Sequence, residues 1–314
     1  MNVVILDGYT VNPGDLDWEP IEGKGEVSIY DRTDDSDIIP RGKSADVLLV
    51  NKVKIKAHHM DAMPNLQAIC LLATGFDNVD VQAAKDRNIR VYNAVGYGTE
   101  SVAQHTLSMM LSFTNKVESH HRSVQIGHWS QQDDFSYSLH TVHELKGKAI
   151  GIIGYGKIGQ RVGELARAFG MNVLVIKRDS AAPGAEQVEK EDLFRNSHFI
   201  SLHAPLNEET REIINRDSLR LMRPEAVIVN TGRGGLINET DLLEALRNEQ
   251  ISGAVLDVLS VEPPSATNPL LHARNVLITP HMAWRSLEAR KELIAIVAKN
   301  IENLSENNDE NRVV

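Results

Sequence analysis

Three residues in the second half of the chain have the side-chain types that carbonyl chemistry requires. Arg233 lies in "VNTGRGGLI", Glu262 in "LDVLSVEPP" and His281 in "LITPHMAW". An arginine fork can bind a carboxylate and polarise a neighbouring carbonyl group. A histidine exchanges protons near neutral pH, and an adjacent glutamate favours its protonated form. The combination predicts proton transfer to an anionic substrate, although each residue taken alone is more often structural.

A glycine-rich loop indicates where a cofactor would bind. The pattern GxGxxG runs from Gly154 to Gly159, after the apolar run "AIGII" and before a helical pattern, which is the context of a dinucleotide-binding loop. We expect Gly154 to permit a tight turn and Gly156 to let the backbone approach a pyrophosphate at the positive helix end. Gly159 should allow the helix and strand to pack closely. The alternative is a glycine-rich turn with no ligand.

The end of the next strand favours NADP(H) over NAD(H). In dinucleotide folds this strand usually ends on an acid that binds the adenosine ribose. Here "NVLVIKRDS" places Lys177 and Arg178 there, and Lys177 lies 18 residues after Gly159 (177 − 159). Cationic side chains attract a 2′-phosphate, which a carboxylate would repel. The alternative is that both cations are solvated and Asp179 binds the ribose.

Short apolar runs alternate with helical patterns along almost the whole chain. The first series is "NVVILD", "DVLLVN" and "LQAICLLA", and the second is "AIGIIG", "NVLVIK", "HFISLH", "EAVIVN", "GAVLDV" and "NVLITP". Continuous apolar runs are typical of strands that are covered on both faces, so the pattern predicts βαβ units and parallel sheets. Ligands bind beyond the carboxyl ends of such strands. Arg233, Asp257, Glu262 and His281 should therefore converge at one edge.

Two long helical segments and a polar tail complete the secondary-structure prediction. The segment from Thr99 to about Gln125 is predicted as one long helix. A second, amphipathic helix is predicted from about Ser286 to Leu304, with five apolar side chains on one face: Leu293, Ile294, Val297, Ile301 and Leu304. The tail "SENNDENRVV" is polar, and we expect it to be frayed.

Composition excludes several classes of function. A length of 314 residues predicts about two domains, and a net charge of −10 argues against a nucleic-acid surface. We find no apolar run long enough to span a membrane, and the N-terminus reads as a first strand. The single cysteine, Cys70, favours a reducing compartment such as the cytoplasm. The adjacent pairs His58-His59 and His120-His121 lack zinc-site spacing, so we predict no metal site.

Several motifs together resemble the D-isomer-specific 2-hydroxyacid dehydrogenases over nearly the whole chain. They are "GIIGYGKIGQRVGELARAFGMNV", "HAPLNEETREIIN", "VNTGRGGLI", "AVLDVLSVEPP" and "ITPHMAW". The 19 residues from Glu262 to His281 (281 − 262), with "HMAWRSLEAR", are most similar to the glycerate dehydrogenase/hydroxypyruvate reductase branch. The resemblance implies an α/β protein with two doubly wound parallel-sheet domains. These are a Rossmann cofactor domain (99–282) and a flavodoxin-like substrate domain (1–98 and 283–314), with the active site in the cleft between them.

The resemblance also implies roles for individual residues. Arg233 orients the substrate, Glu262 is the partner of the histidine, and His281 is the acid/base. The loop "LLATGFDNVD" is similar to the family's substrate loop, whose backbone amides near Thr74 and Gly75 hold the substrate carboxylate. Lys52, in "VNKVKI", either contacts substrate or is a solvated loop lysine. The expected cofactor contacts are Val102, Gly154, Gly156, Lys157, Ile158, Gly159, Lys177, Arg178, His203, Pro205, Thr210, Thr231 and Asp257.

A hydride-transferring oxidoreductase is the function that the resemblance implies. The expected reaction is reduction of a small 2-keto acid, hydroxypyruvate or glyoxylate, to glycerate or glycolate. Two alternatives stay open: a D-lactate or aromatic 2-keto-acid reductase, and a non-catalytic NAD(P)-sensing protein like the family's corepressors. The resemblance further implies a homodimer formed through the helix near Thr99 to Gln125. His105, in that helix, is expected to pack or to lie at an interface rather than to act in catalysis.

Overall fold

The computed structural model describes residues 1–177, 179–306 and 308–314. These residues form two compact units. The first consists of Met1–Gly98 together with Trp284–Val314, and the second is Thr99–Ala283.

Each unit is built on one parallel sheet. The strands of the first are β1 (Asn2–Ile5), β2 (Glu26–Ile29), β3 (Val47–Val50), β4 (Ala68–Leu71) and β5 (Arg90–Tyr92). The strands of the second are β6 (Ala149–Ile153), β7 (Asn172–Ile176), β8 (Glu186–Val188), β9 (Phe199–Leu202), β10 (Val227–Asn230), β11 (Gly253–Leu256) and β12 (Val276–Ile278).

The strand orders identify both sheets as doubly wound. The first sheet has the order β2-β1-β3-β4-β5, which is the flavodoxin-like order. The second has the order β12-β11-β10-β9-β6-β7-β8, which is the Rossmann order with one added strand. All described pairs are parallel. The predicted fold class is confirmed.

Helices separate most of the strands. They are α1 (Glu19–Glu22), α2 (Ile38–Gly42), α3 (Ala57–Asp61), α4 (Val81–Asp86), α5 (Thr99–Asn115), α6 (Val117–Gln125), α7 (Lys157–Ala168), α8 (Lys190–Asn196), α9 (Arg216–Leu221), α10 (Glu239–Arg247) and α11 (Leu287–Glu306). The strands β3, β4, β9, β10 and β11 are buried at every position, because helices cover both faces of each sheet.

The prediction of one helix from Thr99 to Gln125 is wrong. Helix α5 ends at Asn115, and Lys116 has φ +51° and ψ 37°, in the left-handed region. Its Nζ lies 3.9 Å from the centroid of the Phe113 ring. A left-handed residue breaks the helical path, and here no glycine or proline marks the position in the sequence.

The final helix has the predicted apolar face. The five predicted apolar side chains are buried and pack in one core cluster with the apolar side chains of β1, β3 and β4: Leu293, Ile294, Val297, Ile301 and Leu304. This packing joins the C-terminal segment to the first unit.

The expectation of a frayed tail is also wrong. The Val313 N–H donates to the Val91 carbonyl at 2.7 Å, and the Val91 N–H donates to the Val314 carbonyl at 3.1 Å. The tail thereby covers the outer edge of β5, whose backbone groups would otherwise lack partners in the sheet. The buried Asn300 side chain supports this arrangement, since its amide donates to the Asn93 carbonyl at 2.9 Å and its oxygen accepts from the Asn311 side chain in the tail at 3.0 Å.

Two further observations concern the described part of the chain only. No helix there is both apolar enough and long enough to traverse a bilayer. Within the same residues, no cluster of three or more His, Cys, Asp or Glu side chains is arranged to hold a metal ion.

Candidate active site

Three adjacent strands of the second sheet bring the loops that carry the predicted catalytic residues to one edge. Strand β11 pairs with β10 on one side and with β12 on the other. Their last residues, Asn230, Leu256 and Ile278, are in register. The loops that follow carry Arg233 and His281. These loops therefore lie at the carboxyl edge of the sheet, where the sequence predicted them.

His281 and Glu262 form a direct pair. The His281 Nδ1 lies 2.6 Å from Glu262 Oε2, and the two side chains are 24% and 33% exposed. The other carboxylate oxygen, Oε1, accepts a hydrogen bond from the Leu259 N–H at 3.0 Å. A carboxylate on Nδ1 orients the imidazole and fixes which ring nitrogen carries the proton. The arrangement leaves Nε2 as the ring nitrogen that can exchange a proton with a substrate.

The backbone of the turn that carries His281 has an unusual conformation. His281 has φ +52°, and its N–H donates to the Asp257 carbonyl at 2.7 Å. The Asp257 carboxylate accepts from the N–H groups of Met282 and Ala283, each at 2.9 Å. A left-handed L-residue costs about 1–2 kcal/mol, so these contacts stabilise a turn that is unfavourable by itself.

Asp257 is the buried anchor of this turn. It is 1% exposed, its Oδ1 accepts from Thr279 Oγ1 at 2.6 Å, and His105 Nε2 lies 3.5 Å from that oxygen. Burial is the largest influence and raises the pKa of Asp257. The nearby His105 imidazole and the hydrogen bonds from Thr279 and the two backbone N–H groups outweigh it, so the pKa lies below its ordinary value. The carboxylate is therefore charged at neutral pH. A direct contact between Asp257 and a cofactor stays a prediction.

Arg233 projects from a turn that Asn230 holds. The buried Asn230 accepts from the Gly232 N–H at 3.0 Å and donates to the Arg233 carbonyl at 2.9 Å. The guanidinium Nη1 donates to the Gly232 carbonyl at 2.9 Å, and the side chain is partly buried. A hydrogen bond within its own turn therefore orients the Arg233 side chain.

Gly234 joins the Arg233 turn to the loop that leads to Glu262. A Cβ at this position would lie 2.0 Å from the Leu259 carbonyl carbon and 2.4 Å from the Ser260 nitrogen. Only glycine permits so close an approach of two backbone segments. The structure therefore brings the Arg233 turn, the Glu262 loop and the His281 turn into one connected group.

The glycine-rich loop lies where the strand order reverses, between β6 and β9. Gly154 has φ +95°, and a Cβ there would lie 2.3 Å from the Ala204 nitrogen. A Cβ on Gly159 would lie 2.2 Å from the Gly154 carbonyl oxygen, whereas one on Gly156 would meet no atom within 4 Å. The open space at Gly156 adjoins the N-terminus of α7, where no described side chain accepts a capping hydrogen bond. This geometry fits a pyrophosphate, and Lys157 and Ile158 begin that helix.

The loop after β9 borders the same turn. His203 Nε2 lies 2.8 Å from Ser201 Oγ, and burial lowers the pKa of His203 to about 4, so this imidazole is neutral at pH 7. Thr210 Oγ1 donates to the Pro205 carbonyl at 2.6 Å and accepts from the Asn207 N–H at 2.9 Å. Thr210 therefore closes its own loop, and the cofactor contacts predicted for His203, Pro205 and Thr210 stay predictions.

Val102 and Thr231 are linked through helix α5. The Thr106 hydroxyl donates to the Val102 carbonyl at 2.7 Å and lies 3.0 Å from Thr231 Oγ1. This buried contact fixes the residue that follows β10 against the helix. Direct contacts of either predicted residue with a cofactor remain predictions.

The cation predicted to discriminate between cofactors already has an acidic neighbour. Lys177 is 70% exposed, and its Nζ lies 3.3 Å from Oε1 of Glu189, which is 65% exposed. An exposed pair of this kind contributes little to stability. Arg178, the second predicted cation, lies outside the described residues. The sequence did not indicate Glu189 as a partner of Lys177. The two residues follow β8 and β7, and only the pairing of these strands brings them together.

The predicted substrate residues Lys52, Thr74 and Gly75 belong to the first unit. The Asp7 carboxylate accepts from the Lys52 N–H at 2.5 Å and from the Val53 N–H at 2.9 Å. The Thr74 hydroxyl donates to the Ala94 carbonyl at 2.6 Å. Both loops follow strands at the carboxyl edge of the first sheet and are held by side chains of that unit.

Sequence reasoning did not identify four of the residues that organise these loops. Asn230 and Gly234 lie in "VNTGRGG", where an Asx residue at a strand end and a glycine after Arg233 were usable signals. Asp7 follows β1 with no local pattern that points to Lys52. His105 was expected to pack or to lie at an interface, and its Nε2 lies 3.1 Å from Thr279 Oγ1, 174 residues away.

Comparisons with known proteins identify the family to which this chain is similar. Residues 107–283 match the family model described as D-isomer specific 2-hydroxyacid dehydrogenase, NAD binding domain. The chain is similar to a hydroxypyruvate reductase of Blautia hydrogenotrophica, with 41% identity over 96% of each chain. It is 35% identical to a glycerate dehydrogenase of Methylorubrum extorquens, over 85% and 84% of the two chains. Among solved structures, the acyclic imino acid reductase Bsp5 in complex with NADPH and D-Arg has a TM-score of 0.88 at 30% identity, covering 100% of both chains.

The tight contact at Gly154 can be separated from its backbone conformation by a matched glycine. Gly147 also has a left-handed φ, +77°, but a Cβ there would meet no atom within 4 Å. Gly147→Ala should lower the free energy of unfolding by about 1–2 kcal/mol, the cost of the conformation alone. Gly154→Ala should lower it by about 2–5 kcal/mol, because overpacking against the Ala204 backbone is added. Urea unfolding of both variants measures the difference, and equal losses would contradict the close approach.

Proposed function

The chain belongs to the D-isomer specific 2-hydroxyacid dehydrogenases, and from this premise we propose that it reduces hydroxypyruvate and glyoxylate to D-glycerate and glycolate. Members of this family are oxidoreductases that use a nicotinamide cofactor. One observation carries the proposal: His281 Nδ1 lies 2.6 Å from Glu262 Oε2 in a loop group that also carries Arg233. An oriented acid in the same loop group as an arginine fork is suited to a small 2-keto acid.

The second unit is proposed as the cofactor domain. The open space at Gly156 and the N-terminus of α7 suit the pyrophosphate. When bound, a nicotinamide cofactor supplies the hydride for carbonyl reduction. NADP(H) is the proposed form, because Lys177 offers a cation where an acid would favour NAD(H). The exposed Glu189 partner contributes at most about 1 kcal/mol and can be exchanged for a phosphate group.

The protein's own groups carry the proton and hold the substrate. The fork of Arg233 binds the substrate carboxylate with two parallel hydrogen bonds. His281 donates the proton on Nε2 to the carbonyl oxygen as that oxygen gains negative charge. Glu262 keeps Nδ1 protonated throughout and fixes the plane of the ring. In the oxidative direction the neutral His281 accepts the hydroxyl proton.

The first unit is proposed as the substrate domain. Backbone N–H groups near Thr74 and Gly75 can bind an anion without adding a titratable group. Lys52 supplies a further cation, and the Asp7 carboxylate holds its turn through the Lys52 and Val53 N–H groups. These residues are proposed to determine which small acid is accepted.

A second copy of this chain is the proposed protein partner. Several large apolar side chains between residues 117 and 142 are exposed, among them Ile126 at 68% and Phe135 at 91%. Helices α5 and α7 form an outward groove of about 540 Å³ with apolar residues Leu111 and Phe169 in its lining. Concentrated apolar surface of this kind marks an interface. The buried, unpaired Cys70 agrees with a cytoplasmic location.

The reaction is tested by the loss of NADPH absorbance on mixing with hydroxypyruvate, glyoxylate, pyruvate or phenylpyruvate. His281→Ala should lower kcat for hydroxypyruvate about 100- to 10,000-fold, because a positioned acid is lost. The dissociation constant for NADPH should stay unchanged, since the glycine loop is intact. The exposed His272→Ala serves as the matched control and should retain full activity. A wild-type protein that binds NADPH but reduces none of the four acids would refute the proposal.

Cofactor preference is tested at Lys177. Lys177→Ala should raise the KM for NADPH about 5- to 30-fold, the loss of one charge-assisted hydrogen bond, and leave the KM for NADH nearly unchanged. Glu189→Gln should lower the KM for NADPH, because the competing carboxylate is removed. The exposed Lys190→Ala is the control. Equal effects of Lys177→Ala on both cofactors would place the ribose phosphate elsewhere.

Assembly is tested by sedimentation equilibrium. The wild type should sediment with twice the mass of 34.8 kDa. Phe135→Glu should shift the mass toward that of one chain, because it puts a charge into the proposed interface. Leu271→Glu alters an exposed apolar residue outside the 117–142 segment and should leave the mass unchanged. A monomeric wild type would exclude the proposed partner.

A further inference from the structure

His105 connects helix α5 to the turn that carries His281. Its Nε2 lies 3.1 Å from Thr279 Oγ1 and 3.5 Å from Asp257 Oδ1, and the side chain is 17% exposed. The mechanism proposed above makes no use of this imidazole. Its position at the base of the catalytic turn therefore needs an explanation.

The directions of the hydrogen bonds define a chain. The Thr279 hydroxyl has one proton and donates it to the charged Asp257 Oδ1 at 2.6 Å. Its oxygen is then available to accept, and the His105 Nε2–H is the neighbouring donor. Asp257 in turn accepts from the N–H groups of Met282 and Ala283. The chain thus runs from α5 to the two backbone groups that directly follow His281.

We propose that His105 is a positioning residue for proton transfer by His281. By donating to Thr279, it keeps the threonine hydroxyl directed at Asp257 and the carboxylate directed at the turn. The turn needs this support, because His281 occupies the left-handed region at φ +52°. A small rotation of the turn would move Nε2 away from the carbonyl oxygen, and proton transfer depends steeply on such distances. The inference rests on the proposed function.

Two substitutions at His105 separate positioning from packing. His105→Leu removes the donor, and kcat for hydroxypyruvate should fall about 10- to 100-fold, as for other residues that orient a reacting group. His105→Gln retains an N–H donor and should recover most of that loss. In both variants the KM for hydroxypyruvate and the dissociation constant for NADPH should stay near wild type. His272→Leu, the same substitution at an exposed histidine outside this chain of hydrogen bonds, is the control.

Thr279 provides an independent check on the chain. Thr279→Val should cause a loss of kcat similar to that of His105→Leu, because the link to Asp257 is broken at its second member. The double variant should lose no more than either single variant, since both act through one chain of hydrogen bonds. Additive losses would show that His105 acts by another route and would overturn the proposal.

A readout without turnover distinguishes this inference from the proposed function. The proton on His281 Nδ1 should give a downfield proton NMR signal, identified by its loss in His281→Ala. The signal should persist in His105→Gln and broaden or disappear in His105→Leu. An unchanged signal and kcat in His105→Leu would refute the positioning role. So would equal loss of kcat, NADPH affinity and thermal stability without rescue by glutamine. A wild type that lacks reductase activity would refute the function, while the signal would still test the positioning.

Discussion

The buried carboxylate of Asp257 is the constraint on which the rest of the candidate site depends. A buried charge is costly unless hydrogen bonds compensate it, and here the hydroxyl of Thr279 and two backbone N–H groups do so. Those N–H groups belong to the turn that carries His281. The same contacts that stabilise the charge therefore hold an unfavourable left-handed conformation and orient the residue proposed to transfer the proton.

Close backbone approach is the second requirement of the site. Gly154 lies against the loop after β9, and Gly234 lies against the loop after β11. In each case a side chain would separate two loops that must touch. The first contact shapes the proposed pyrophosphate site, and the second keeps the Arg233 turn beside the Glu262 loop. Parallel strands in register supply the common edge at which both contacts occur.

Individual cations at the candidate site, rather than the net charge of the chain, govern the proposed binding of anions. The chain has a net charge of −10, yet its proposed ligands are anions. Arg233 and Lys177 can offset that sign because electrostatic interactions decay within about 8–10 Å at physiological ionic strength. Lys177 is already paired with Glu189, so this carboxylate competes with the proposed phosphate group for the same cation. Cofactor preference is then a difference between two exposed interactions of similar strength.

The sequence by itself determined the βαβ pattern with parallel sheets, the Gly154–Gly159 loop and the placement of Arg233 and His281 at a strand edge. Each follows from local patterns, since strand length, glycine spacing and the carboxyl-edge rule need no knowledge of distant partners. Only the tertiary structure decided that His105 faces Thr279, and that the C-terminal tail covers β5. Those partners lie far apart in the chain, and sheet order and register bring them together. Sheet order and register depend on distant segments, so the residues next to His105 or to the tail do not reveal them.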